Sequence, residues 1–118
     1  MTAPTHRENR RASRRLQGRR TMKLECRKGS LGLGRDIGVR VLDISQTGAR
    51  VLLKAPLERG QEAELVLDAG HGGVVKRLAT VVWSAPAEGG CYCVGFAFNS
   101  YLDYNSLLRL SAPPRELT

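Results

Sequence analysis

Apolar and polar side chains alternate in short runs along most of the chain, with the period of two expected of half-buried strands. In residues 21–27, Met22, Leu24 and Cys26 fall on one face and Lys23, Glu25 and Arg27 on the other. In residues 61–67, Ala63, Leu65 and Leu67 face one way, Glu62 and Glu64 the other. Residues 74–85 set Ala79, Val81 and Trp83 against Leu78, Thr80 and Val82; residues 91–98 set Tyr92, Val94, Phe96 and Phe98 against Cys91, Cys93, Gly95 and Ala97. Two more apolar runs, 37–44 and 49–53, flank the polar tetrad Ser45-Gln46-Thr47-Gly48. Between the runs, glycine and proline mark turns at 29–34, 55–60, 68–73 and 86–90. After residue 98 the period lengthens. Asn99 or Ser100 can cap a helix carrying Leu102, Leu107, Leu108 and Leu110, which Pro113-Pro114 ends. The pattern predicts an all-β domain with a C-terminal helix: six antiparallel strands forming a small barrel or sandwich. The expected boundaries are a flexible arm at 1–20, a barrel at 21–98 and a helix packed on it at 99–112.

The tetrad is the chemically distinctive turn. Ser45 at its first position can hydrogen-bond the backbone two residues on. Gly48 at its last position predicts a positive φ, as in a type I turn closed by a left-handed glycine. Two residues apart on a strand, Asp43 and Ser45 share one surface, beside a glycine that lets a ligand approach the backbone.

Charge is distributed unevenly. The 118-residue chain carries a net +8, and residues 1–28 account for all of it, with ten Lys and Arg against two Glu; the remainder holds nine of each sign. The arm contains Arg7, Arg10, Arg11, Arg14, Arg15, Arg19 and Arg20, with Arg10 and Arg14 four apart, as are Arg11 and Arg15. A neutral body with one basic arm suggests a clamp for an anion. The guanidinium fork suits phosphate oxygens and the O6/N7 edge of guanine. Arginines facing an Asp/Ser turn therefore have the parts to bind a phosphorylated guanine compound.

The other chemistry narrows by exclusion. Cys26, Cys91 and Cys93 are odd in number, and a lone Cys-x-Cys is a poor zinc signature, so free thiols and no metal are expected. The glycines at 32 and 34 do not continue as a dinucleotide fingerprint. His6 lies in the arm and His71 at a glycine-rich tip, and no nucleophile–base set or carboxylate pair can be placed, so no enzyme is expected. With aromatic content at 5% and a neutral body, specific nucleic-acid binding is not expected. No apolar run approaches the roughly 20 residues of a membrane span, and no signal peptide is visible, which predicts a cytoplasmic protein.

Two motifs resemble those of the PilZ domain, a bacterial receptor module for the second messenger cyclic di-GMP. Arg10-Arg11-Ala12-Ser13-Arg14 is similar to the family's Arg-x-x-x-Arg arm, and Asp43-Ile44-Ser45-Gln46-Thr47-Gly48 to its Asp/Asn-x-Ser-x-x-Gly turn. Ala79-Thr80-Val81-Val82-Trp83 and Val94-Gly95-Phe96-Ala97-Phe98 also resemble its later strands, so the likeness runs over about residues 7–110. It implies a six-stranded antiparallel split barrel with a C-terminal helix. It implies that Arg10 and Arg14, or Arg11 and Arg15 in the other register, contact phosphate and guanine. Asp43 would accept from guanine N1 and N2, Ser45 would bond a base or phosphate, and Gly48 would keep the turn open. Trp83 would either stack on a base or fill the barrel. The resemblance implies no cofactor beyond the ligand, and output through a separate effector protein. Its alternative is a PilZ-like interaction module that binds protein and no nucleotide. Arg19, Arg20 and Gly18 depart from the apolar residues usual in the family between arm and first strand.

Overall fold

Seven strands, one α-helix and a single 3-10 turn at Glu88–Gly90 appear in the computed structural model, which describes residues 16–17, 22–70 and 73–111. The strands are β1 (Leu16–Gln17), β2 (Lys23–Lys28), β3 (Gly38–Ile44), β4 (Gly48–Leu53), β5 (Glu62–Asp68), β6 (Val74–Pro86) and β7 (Tyr92–Phe98); the helix, α1, is Tyr104–Leu110. They form one antiparallel sheet in the order β1-β3-β4-β7-β6-β5-β2. This is a seven-stranded half-barrel and not the expected closed six-stranded one. The extra strand is β1, two residues taken from the arginine arm, where no alternation announces it. Closure is incomplete because β2 meets only the approach to β3, through an isolated bridge of Arg27 with Asp36, and not through a ladder. The Ile37 amide donates to the Cys26 carbonyl at 2.9 Å beside that bridge.

The alternating faces pack as their sequence predicts in β2, β5 and β7. Leu24 and Cys26, then Ala63, Leu65 and Leu67, then Val94, Phe96 and Phe98 are buried in one core with Ile44, Val51 and Leu53. Each fully buried Leu, Val or Phe contributes roughly 1.5–3 kcal/mol of transfer free energy. Burial, with the Asp36 charge adding to it, pushes the Cys26 thiol up to about 12, so it stays protonated. Cys91 and Cys93 are half-buried, and all three cysteines are free thiols.

Of three register shifts in the sheet, one near the end of β3 and one in β6 decide which side chains around the β3–β4 turn leave the core. In β3 the register passes from Val41–Val51 to Asp43–Arg50, and in β6 from Val81–Phe96 to Trp83–Gly95. An extra residue in one strand reverses the facing of all that follows. Ile44 therefore points inward and Asp43 outward. Likewise Ala79 and Val81 are buried, while Trp83 is 39% exposed. The reading of Trp83 as barrel core is corrected by that bulge.

The helix begins later than either expected cap. Asp103 caps it, accepting from the Ser106 amide at 2.7 Å. Asn99 instead donates to Glu62 and accepts from Thr80, tying the end of β7 to its neighbours. Leu107 and Leu110 are buried with Leu102, whereas Leu108 is exposed.

Candidate functional site

The turn between β3 and β4 is held by its own serine. Ser45 Oγ accepts from the Thr47 and Gly48 amides, both at 3.2 Å, and donates to the Gly48 carbonyl at 3.3 Å. The Ser45 amide closes the loop on the Gly48 carbonyl at 2.8 Å. The expected bond to the backbone two residues on is thus present. Ser45 is only 2% exposed, its hydroxyl bonded to the loop's own backbone.

Gly48 is required for a different reason than the sequence suggests. Its φ is not among the positive ones. A Cβ there would strike the carbonyl oxygen of Phe96 on β7. Glycine lets the turn lie directly on the neighbouring strand. The turn is further tied down through its carbonyls. Thr47 accepts from the Phe98 amide at 2.8 Å, and Gln46 exchanges two bonds with Leu102, one through its carbonyl at 2.9 Å and one from Nε2 at 3.1 Å. The end of β7 and the lead into α1 therefore hold the tip in place. Ser45→Ala removes the acceptor for the buried Gly48 amide and the partly buried Thr47 amide and is expected to cost about 1–2 kcal/mol in urea unfolding.

Beside the turn, one line of residues crosses the outer face of the sheet. Gln17 pairs with Asp43, Asp43 with Arg50, Arg50 with Gly95 and Gly95 with Trp83. At about 4.8 Å per strand, Asp43 and Trp83 stand roughly 14 Å apart along it. Arg50 Nη2 donates to Asp43 Oδ2 at 2.7 Å, with side-chain exposures of 48% and 15%. The ion pair orients the carboxylate on the outer face. Gly95 has no side chain, and the indole of Trp83 occupies the place where its Cβ would stand. Trp83 also borders an open groove of about 530 Å³ with Pro56, Leu57 and Tyr92.

Of the residues singled out in the sequence, Asp43 and Trp83 stand on this line, and Ser45 and Gly48 in the turn beside it. Arg10, Arg11, Arg14 and Arg15 lie outside the described residues, as does His71. Leu16 and Gln17, which follow them directly, pair with Ile44 and Asp43. Arg50 and Gly95 were not singled out. The signal that would have found them is the broken alternation of Val41-Leu42-Asp43-Ile44, since a bulge there makes residue 50, and not 49, the partner of Asp43. Among the described residues no helix is long and apolar enough to cross a membrane.

A family model described as the PilZ domain matches residues 9–112. No curated protein matches the chain.

Proposed function

The chain belongs to the PilZ domain family, and from that premise we propose that it is a cyclic di-GMP receptor closed by the N-terminal arginines and the Asp43 turn. Domains of this family are non-catalytic receptor or adaptor modules, so the chain is not an enzyme.

The observation that carries the specific reading is the pairing of β1 with β3. Leu16 opposite Ile44 and Gln17 opposite Asp43 fix the root of the arm beside the acidic end of the outer-face line. At no more than about 3.6 Å per residue, Arg14 has its Cα within about 7 Å of that of Leu16, and Arg10 within about 22 Å. All four arginines of the two registers are therefore tethered within reach of a ligand on Asp43. In this reading Arg10 and Arg14, or Arg11 and Arg15, supply forked donors to phosphate oxygens and the guanine edge. Asp43 accepts from guanine N1 and N2, and Trp83 offers a stacking face. Ser45 and Gly48 act chiefly by holding the loop on β7. A ligand that binds the clamped arm better than the open one shifts the population towards it. The clamped arm then presents a new surface to an effector protein in the cytoplasm.

Calorimetric titration with cyclic di-GMP, GTP and cyclic di-AMP tests the reading. Saturable binding of the first alone is expected. Because the ligand carries two phosphate charges and the arm is rich in arginine, affinity should fall as salt rises. A flat titration with cyclic di-GMP would instead favour the interaction module that binds no nucleotide.

A further inference from the structure

The Asp43–Arg50 pair is more than a carboxylate with a counter-ion, because its two halves have opposite hydrogen-bonding character in adjacent positions. Ionised Asp43 only accepts, and the Arg50 guanidinium only donates, through five N–H groups. At 2.7 Å apart they form a donor–acceptor couple on the outer face, with Arg50 half exposed. Among the described residues, Asp43 is the partner of that guanidinium.

Guanine presents the complementary couple. Its N1 and N2 hydrogens are donors, and O6, on the carbon next to N1, is an acceptor. A base that gives N1–H and N2–H to Asp43 must bring O6 to whatever lies beside the carboxylate, and cross-strand register puts Arg50 there. Adenine reverses both signs, with a lone pair at N1 and an amine at position 6. It would set like against like at both halves of the pair. The next residues along the line reinforce the placement. Gly95 has no side chain, and the indole of Trp83 folds over it, which brings the ring up to the strand that carries Arg50.

We propose that Arg50 is a specificity-determining residue that donates to guanine O6 while Asp43 reads N1 and N2. The inference rests on the cyclic di-GMP reading above and adds to it a base contact from the sheet itself, independent of the arm. The plain alternative is a half-exposed ion pair that merely orients Asp43, and such pairs are worth little by themselves.

The test crosses a protein change with a ligand change. Wild type, Arg50→Leu and Arg50→Met (which retains much of the stem) are titrated with cyclic di-GMP and with its 6-thioguanine analogue, which keeps N1–H and N2–H but weakens the acceptor at position 6. Circular dichroism melts establish that each variant is folded. For wild type, the thio substitution is expected to weaken binding about tenfold. The variants should bind cyclic di-GMP about 10- to 100-fold more weakly than wild type and be nearly indifferent to the thio substitution. If the variants bind cyclic di-GMP as well as wild type, or lose the same factor as wild type on the thio analogue, the assignment of Arg50 is overturned and the receptor reading stands. If wild type binds neither nucleotide, both fall together.

Discussion

Asp43→Ala is expected to reduce cyclic di-GMP binding below calorimetric detection while the domain stays folded. The carboxylate would receive two hydrogen bonds from guanine, and bonds to a charged group are worth roughly 1.5–3 kcal/mol each. Their loss corresponds to at least a hundredfold. Truncation also leaves Arg50 without the partner 2.7 Å away, so the base would meet an unmatched cation. The cost to folding should be small. The side chain lies on the outer face, its ion partner is 48% exposed, and solvent screening keeps such a pair near 0–1 kcal/mol. The melting temperature should move by only a few degrees. Arg14→Ala is expected to abolish binding in the same titration from the arm's side. Near-unchanged affinity in both variants would remove the assigned site.

Gly48→Ala should be the most damaging small change to the fold. Its methyl group would land on the Phe96 carbonyl oxygen, a backbone atom of the neighbouring strand with no flexible end to yield. Either β4 separates from β7 or the loop leaves its seat, and the core residues Ala49, Val51, Val94 and Phe96 share those two strands. Overpacking in a tight site costs about 1–3 kcal/mol even when side chains can adjust. With backbone against backbone, several kcal/mol of a total near 5–15 are expected to go. That shift amounts to more than 10 °C in melting temperature, or to failure to fold. Gly60→Ala provides the contrast. Gly60 has φ +87° but nothing within 4 Å of a built Cβ, so only conformational strain is at stake there. A Gly48→Ala protein as stable as Gly60→Ala would show that the close approach on β7 is not what demands glycine.

Much of the architecture is legible in the alternation of single side chains. Leu24 and Cys26, Ala63 to Leu67, and Val94 to Phe98 face the core as their period dictates, because strands with one wet face leave little choice of side. What escaped was set by single residues inserted or by backbone geometry. The bulges before Asp43 and Trp83 each add one residue, and no composition rule marks where alternation will slip. Strand β1 is two residues long in an arginine-rich stretch, too short to show a period, and with it went the count of six strands; the closed barrel went with the missing ladder between β2 and β3. Asn99 looked like a helix cap, but its amide is taken by Glu62 and Thr80, and Asp103 does the capping. The site was legible as residue types, Asp43, Ser45 and Gly48, through the motif they form. Arg50 was missed because its place beside Asp43 follows only once the broken alternation at Val41-Leu42-Asp43-Ile44 is taken as a bulge.

The reciprocal bonds between Gln46 and Leu102 give the β3–β4 loop and the approach to α1 a shared fate. Neither can open to solvent without breaking the other's backbone bonds, so they form one cooperative unit in the sense of local unfolding. Anything that grips the loop from outside will therefore also quiet the segment before the helix, about one strand's width away. Amide exchange at Leu102 and Phe98 is the place where that quieting would be read.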